Sequence, residues 1–205
     1  MSLKALQKIW DENEYYPQAE EAMDEQWETI IWPCIQHCDF SVVVDLAAGA
    51  GRNSQKLLPL IEEYLVIVDI CESNLQCCKD RFKHDYNIQY ELTDGQSIPV
   101  NNDSITLIYC WDAMVHFEVE TVWEYLKEAY RVLQVGGKAF FHHSNYVGVC
   151  NSDFRYNPYA RNYMSKNLFD LMARRAGLTV EHSNVIRWGE IWDMDCITLL
   201  SKGIE

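Results

Sequence analysis

Strand-length apolar runs alternate with helix-length stretches through most of this 205-residue chain, and that alternation constrains it more than any other feature. Residues 41–46 (SVVVDL) form a β-branched run apolar on both faces, as a central parallel strand requires. A helix is predicted over 53–64, a second strand over 65–69 (LVIVD) and a helix over 73–82. Strands follow over 88–92 and 104–110 (SITLIYC), then a helix over 119–133 that Gly136-Gly137 is expected to cap, and a fifth strand over 138–142. Residues 144–164 are polar, aromatic and irregular, long for a loop. A helix over 166–176 leads into strands over 178–187 and 195–202 with no helix between them. Repeated strand–helix pairs predict an α/β, doubly wound, Rossmann-like sheet. Seven strands are expected, mostly parallel, with an antiparallel C-terminal hairpin. Residues 1–40 are expected to form a helical cover or lid; Trp27 is read as packing that amphipathic helix on the core, while Tyr15 and Tyr16 stay open as aromatic candidates to touch a ligand. Residues 41–205 then form the main domain, with an insertion at 144–166.

Charge excludes some partners. Seventeen Lys and Arg against 31 Asp and Glu leave a formal charge of −14, which opposes a nucleic-acid backbone. Half of that excess lies in residues 1–40, while 152–175 is the one basic stretch. No run approaches the ~20 apolar residues of a membrane span. No secretion signal is visible and most of the eight cysteines lie in apolar segments, so reduced thiols in a cytoplasmic protein are expected rather than disulfides. Cys34, His37 and Cys38 lack a second ligand pair downstream, so no metal is expected.

The chemistry is carried by Asp45-Leu46-Ala47-Ala48-Gly49-Ala50-Gly51, which follows the first strand and opens a helix. Glycines there let a ligand approach the backbone, and the helix start presents N–H groups. Asp69 ends the next strand, where a carboxylate can accept two hydrogen bonds from a ribose diol. Together they point to an adenosine-type nucleoside. Ser54 stands where a dinucleotide fingerprint has its third glycine, and Asp45 suits a cationic ligand portion better than a pyrophosphate. Plainer roles exist for each residue: a tight turn for the glycines, an N-cap for Asp69, a turn beside Gly95 for Asp94.

These residues resemble class I S-adenosylmethionine-dependent methyltransferases. Residues 42–51 resemble the first motif, and Asp69 matches the ribose-binding acid. Residues 93–99 (TDGQSIP) resemble the segment after strand three, where an Asp contacts the adenine amino group. Residues 103–108 and 110–117 resemble the fourth strand and its continuation, and 131–138 the turn before strand five. The matches run in order over 42–142. The resemblance implies S-adenosylmethionine as cofactor and S-adenosylhomocysteine as product, with contacts from Asp45, Ala47, Gly49, Gly51, Asp69, Ile70, Asp94, Gly95, Cys110 and Trp111. Ala47 departs from the family's first glycine, and an alanine keeps that turn only at negative φ.

Methyl transfer from an activated donor needs alignment above all. A hydroxyl acceptor also needs a base. Asp112, His116, His142 and His143 follow strands four and five, where ligands bind in such sheets. His142 and His143 are consecutive, so in extended chain one at most faces the acceptor. His116 and His143 are the candidate catalytic residues; the alternative for each is a histidine held by backbone hydrogen bonds. Tyr146, Arg155 and Arg161 are the candidate acceptor-binding residues, for a sugar or other polar small molecule. The alternative is that the arginines neutralise the acidic N-terminal segment. A monomer or homodimer without nucleic-acid or membrane partners is expected. Two other classes stay open: a non-catalytic methyltransferase-like binding module and a nicotinamide-dependent oxidoreductase.

Overall fold

The computed structural model describes residues 19–149, 151 and 153–203. Seven strands form one sheet: β1 (Val42–Leu46), β2 (Tyr64–Asp69), β3 (Ile88–Leu92), β4 (Ile105–Cys110), β5 (Leu133–Ser144), β6 (Leu178–Trp188) and β7 (Ile191–Lys202). Their order is β3-β2-β1-β4-β5-β7-β6. The first five run parallel, and β7 is antiparallel to both β5 and β6. The expected architecture is therefore the observed one.

Alternation along the strands builds two apolar layers. Val42, Val44 and Leu46 of β1 and Val66 and Val68 of β2 face α5 (Val119–Val132) and α6 (Lys166–Arg175), meeting Leu126, Ala129, Phe169 and Ala173. Val43, Leu65 and Ile67 point the other way. They pack under α3 (Arg52–Leu57), α4 (Glu72–Arg81) and an N-terminal helical segment. That segment comprises α1 (Met23–Gln26), a π turn (Trp27–Ile31) and α2 (Trp32–Ile35), burying Met23, Ile31 and Ile35. Pro33 accounts for the π turn. Its ring excludes the carbonyl four residues back, and the wider turn accommodates it with Trp32 N–H bonded to Trp27 O. The expected cover before residue 19, with Tyr15 and Tyr16, lies outside the described residues.

Three boundaries differ from expectation. The helix predicted over 53–64 ends early: α3 passes into a 3₁₀ turn, Leu58–Leu60, that carries Pro59. Gly136-Gly137 does not cap α5, because β5 begins directly at Leu133. The pair lies in a bulge instead, where register shifts between Ile105 and Leu107 opposite Leu133 and Lys138. Gly136 adopts φ +84°, and a Cβ on Gly137 would stand 2.9 Å from both Gln134 O and Ile105 O. The last two strands are also longer than predicted. Trp188 pairs with Ile191, so Gly189 and Glu190 form a two-residue turn.

Strand order reverses between β1 and β4. A sheet of this kind opens a crevice at the carboxyl ends of those two strands. No helix among the described residues is long and apolar enough to cross a membrane. The seven described cysteines are unpaired thiols.

Candidate active site

A cavity of about 440 Å³ occupies that crevice. Its floor is the turn after β1, residues 47–50, with Arg52 and Asn53. One side is Asp69, Ile70 and Asn74, with Thr93–Gln96. The other is Trp111–Ala113, His116 and Phe117, closed by Phe154 and Asn162, with Glu20 and the first turns of α5 at its edge.

Hydrogen bonds shape the turn. Gly49 N–H donates to Asp69 Oδ2 at 2.8 Å, while Cys71 N–H and Asn74 Nδ2 donate to Oδ1 at 2.8 and 3.1 Å. Burial raises the Asp69 pKa, and these N–H donors pull it down. Ala47, Gly49 and Gly51 all adopt positive φ, at +57°, +56° and +86°. The condition placed on Ala47 is thus not met. The turn keeps its left-handed residue with an alanine in it, at a steric cost of about 1–2 kcal/mol. Gly51 also departs from expectation. It is absent from the cavity wall, and a Cβ there would lie 2.8 Å from the Phe82 ring and 3.0 Å from Cys78 Sγ. Its smallness serves the packing of α4 and the residue after it, not the approach of a ligand.

Asp45 is fully buried behind the turn and outside the lining. Ser54 Oγ donates to its Oδ2 at 2.6 Å, and Oδ1 has no hydrogen-bond partner. Burial pushes its pKa up to about 7. Asp94 lines the cavity with Gly95. Its Oδ1 accepts from Gln96 N–H, Ser97 N–H and Ser97 Oγ, which lower its pKa. Trp111 lines the cavity, stacked on the His142 ring at 4.2 Å, with Nε1 donating to Gln26 Oε1. Cys110 is buried in the core and absent from the wall.

The two candidate catalytic histidines separate. His116, in a 3₁₀ turn (Met114–His116), lines the cavity. Its Nδ1–H donates to Ala160 O at 2.8 Å, so Nε2 carries the ring lone pair, and Asn162 Nδ2 donates to its carbonyl. Burial, then Arg161, push its pKa down to about 4. His143 is fully buried and outside the cavity. It stacks on Phe169 at 3.7 Å, with Nδ1–H donating to Ser144 O and Nε2 accepting from Thr198 Oγ1. Extended backbone in β5 turns it to the α6 side, which corrects the expectation that it faces an acceptor. His142 points to the opposite side. It accepts the Asp112 N–H on Nδ1 and donates from Nε2 to Asp195 Oδ2 at 3.0 Å, steadying Asp112 at φ +56°.

None of the candidate acceptor-binding residues reaches the cavity. Tyr146 OH donates to Val149 O within its own loop. Arg155 is exposed and pairs with Asp153. Arg161 is buried, bidentate to Asp195 at 2.9 and 2.5 Å, and packs over Trp188. Among the described residues, the acidic partners of Arg155 and Arg161 are Asp153, Asp112 and Asp195 rather than the N-terminal acids. Arg52, Asn74, Phe117, Phe154 and Asn162 were not anticipated as wall residues. Arg52 had a signal, since it follows Gly51 directly and opens α3. The others are brought in by long-range packing. Among the described residues, no three His, Cys, Asp or Glu side chains are placed to hold a metal ion.

The residues present fit S-adenosylmethionine. Asp69 stands where a ribose diol would bond, and the orphaned Asp45 Oδ1 is an anionic acceptor without a donor.

Residues 43–137 match the methyltransferase domain family. An uncharacterised methyltransferase of Schizosaccharomyces pombe is 29% identical over 98 residues, 48% of this chain and 37% of that protein. The match therefore spans little more than a third of the relative's length. An S-adenosylmethionine-dependent methyltransferase from Clostridium acetobutylicum superposes with TM-score 0.72 at 17% identity, covering 94% of this chain and 100% of that one. Geranyl diphosphate C-methyltransferase from Streptomyces coelicolor, bound to Mg²⁺, geranyl diphosphate and S-adenosylhomocysteine, superposes with TM-score 0.72 at 12% identity, covering 93% and 85%. Residues 43–137 are thus similar to a methyltransferase domain, and the sheet as a whole has the fold of these methyltransferases. The inserted antiparallel β7 also separates this sheet from the all-parallel dinucleotide-binding order, which counts against the oxidoreductase alternative.

Proposed function

We propose that this domain transfers a methyl group from S-adenosylmethionine to a small polar acceptor. The observation that carries the reading is the Asp69 carboxylate, fixed by Gly49 N–H at the tip of β2 inside a cavity at the strand-order reversal. S-adenosylmethionine supplies a methyl carbon on cationic sulfur, which an in-line nucleophile displaces.

Each wall has a part. Asp69 takes the ribose hydroxyls, Asp94 and Gly95 the adenine edge, and the turn of Ala47–Ala50 with Ile70 and Trp111 encloses the rest. Asp45, buried and half-satisfied, supplies negative charge behind the turn toward the cationic end. His116 is the candidate catalytic residue. Its Nδ1–H donates to Ala160 O, the tautomer in which Nε2 is the basic ring nitrogen. The 144–166 segment shapes the acceptor end through Phe154 and Asn162 rather than through its arginines, and the N-terminal segment covers the cavity through Glu20. Unpaired thiols suit a reducing compartment such as the cytoplasm.

The test is calorimetry of the purified chain with S-adenosylhomocysteine and, separately, with NAD. Binding of the first and not the second is expected, and Asp69→Ala should abolish it. Equal binding of both, or of neither, refutes the reading.

A further inference from the structure

Trp111 and Asp112 follow β4 and form one wall of the cavity. Asp112 holds φ +56°, a left-handed conformation that a residue with a Cβ keeps at a steric cost. The Arg52 guanidinium holds its carboxylate at 2.8 Å. Its N–H is held from behind the wall, donating to His142 Nδ1 at 3.1 Å. His142 is fully buried and stands outside the cavity lining.

Sheet register brings these residues together. β5 runs parallel to β4 with Phe141 opposite Cys110, so the next residues, His142 and Trp111, come side by side at the strand tips. On the other flank His142 pairs with Ile197 of β7. Asp195 lies two positions from Ile197 and turns its side chain to the same face. Four contacts then pin the imidazole. Its faces lie against two indoles, Trp111 at 4.2 Å and Trp188 at 5.0 Å between ring centres. A backbone N–H only donates, so Nδ1 is the unprotonated nitrogen and Nε2 carries the hydrogen. Nε2–H donates to Asp195 Oδ2 at 3.0 Å. Arg161 holds that carboxylate in turn, from Nε to Oδ1 at 2.9 Å and from Nη2 to Oδ2 at 2.5 Å, and its guanidinium covers Trp188 at 4.9 Å. A chain of Arg161, Asp195, His142 and the Asp112 N–H therefore runs from the 144–166 segment to the wall beside β4. A phenyl ring would fill the same slot between the indoles but would offer that N–H no acceptor.

We propose that His142 is a positioning residue for the cofactor: through the Asp112 N–H and the Trp111 ring it sets the wall against which S-adenosylmethionine binds, in the one tautomer that the Arg161–Asp195 pair accepts. The inference rests on the methyl-transfer reading. The two ring nitrogens have separate parts. Nδ1 touches the backbone of the wall, and Nε2 selects the tautomer that leaves Nδ1 able to accept.

Three variants separate those parts. His142→Asn places an amide oxygen near Nδ1 and keeps the acceptor. His142→Gln places an amide nitrogen near Nε2 and keeps the donor to Asp195. His142→Phe keeps the stack alone. Calorimetry with S-adenosylhomocysteine should find His142→Asn within about threefold of the parent, and His142→Gln and His142→Phe about tenfold weaker, the scale of one hydrogen bond. Urea unfolding should show the two amide variants destabilised alike, because each removes one of the ring's two buried hydrogen bonds. A structural role alone predicts affinity that follows stability across the three variants. That result, or a His142→Gln protein that binds like the parent, overturns the proposal while the methyl-transfer reading stands. Nitrogen NMR of the parent requires no substitution: Nδ1 of His142 is expected unprotonated and Nε2 protonated, with and without S-adenosylhomocysteine. A protonated Nδ1 overturns the proposal even where every variant fails to fold. Failure of the folded parent to bind S-adenosylhomocysteine removes both.

Discussion

Arg52 Nη2 donates to Asp112 Oδ2 at 2.8 Å, joining the turn after β1 to the end of β4 by a buried ion pair. The same guanidinium donates from Nη1 to Ala19 O, so the start of the described N-terminal segment is tied to the cavity floor. Asp112 lies in addition 3.8 Å from Arg161, whose other partner is Asp195. Three segments distant in sequence therefore meet at one guanidinium.

Removing that cation takes a guanidinium at 2.8 Å from the buried Asp112 carboxylate and leaves Arg161 at 3.8 Å. Arg52→Met is expected to lower stability by about 2–3 kcal/mol, below the roughly 3–5 kcal/mol of a buried charge left wholly unpaired. The Asp112 pKa, already raised by burial to about 7, lets the carboxylate take up a proton. Urea unfolding measures the loss, and hydrogen exchange should quicken at residues 19–31. A variant as stable as the parent, with exchange unaltered, rules out the tie.

Ala47 holds φ +57° in the ligand-facing turn. Relief of about 1–2 kcal/mol of left-handed strain competes with about 0.5–1 kcal/mol of extra unfolded-state entropy on introducing glycine. Ala47→Gly should therefore stabilise the protein by about 0.5–1 kcal/mol, seen as a higher Tm, with cofactor affinity kept. A lower Tm would show that the alanine methyl contributes packing larger than its strain.

Asp45 is held near pH 7 by burial, with Ser54 on one oxygen only. A carboxyl with a raised pKa is protonated below about pH 7, and a cationic ligand favours its charged form. Cofactor affinity should fall as pH drops below 7, by up to about tenfold per unit, and level off above it, with proton release on binding near pH 6.5. Calorimetry in two buffers of different ionisation enthalpy measures that proton. Asp69 is raised too, so Asp45→Asn is the decisive comparison. It should bind more weakly and without the pH dependence. Equal proton release in both proteins assigns the effect to Asp69 instead.

The strands were legible because β1, β2 and β4 bury nearly every residue and so read as unbroken apolar runs. The nucleoside end was legible for a related reason: Gly49 and Asp69 lie at strand tips, where register places them side by side. Gly136-Gly137 misled because a bulge and a helix cap demand the same residue for the same positive φ. The sign of φ at Ala47 has no composition signal. The acceptor end was least legible. Arg161 lies in a loop of hydrogen-bonding side chains, and its bond to Asp195 spans 34 positions that no local pattern reports. Consecutive histidines in a strand announced opposite faces but not which face opened on the cavity.

His116 and His143 settle that last point by experiment, because burial pushes both to about 4 and only their positions differ. Each is neutral in the folded protein well below the ~6.5 of an unfolded histidine. As pH falls from about 6.5 to about 4 the unfolded chain binds the protons first, so each histidine withdraws stability across that window and none above it. Asp45 and Asp112, raised to about 7, act oppositely, losing stability as pH rises from about 4 to 7, so the whole curve blends both. The difference between parent and variant isolates one group. His143→Phe should flatten the slope between pH 6.5 and 4. At pH 7 it should cost about 1–3 kcal/mol, because Thr198 Oγ1 and Ser144 O lose their buried partner. Its kcat should stay near that of the parent, since the ring touches Phe169 and no cavity surface. His116→Ala should lower kcat about a hundredfold, the scale of a lost general base, with a smaller change in stability. In the parent the acid limb of kcat that His116 causes should fall near pH 4 rather than 6.5. A hundredfold loss in His143→Phe with stability intact would move the chemistry to the other side of β5, and an unimpaired His116→Ala would leave alignment alone to account for the rate.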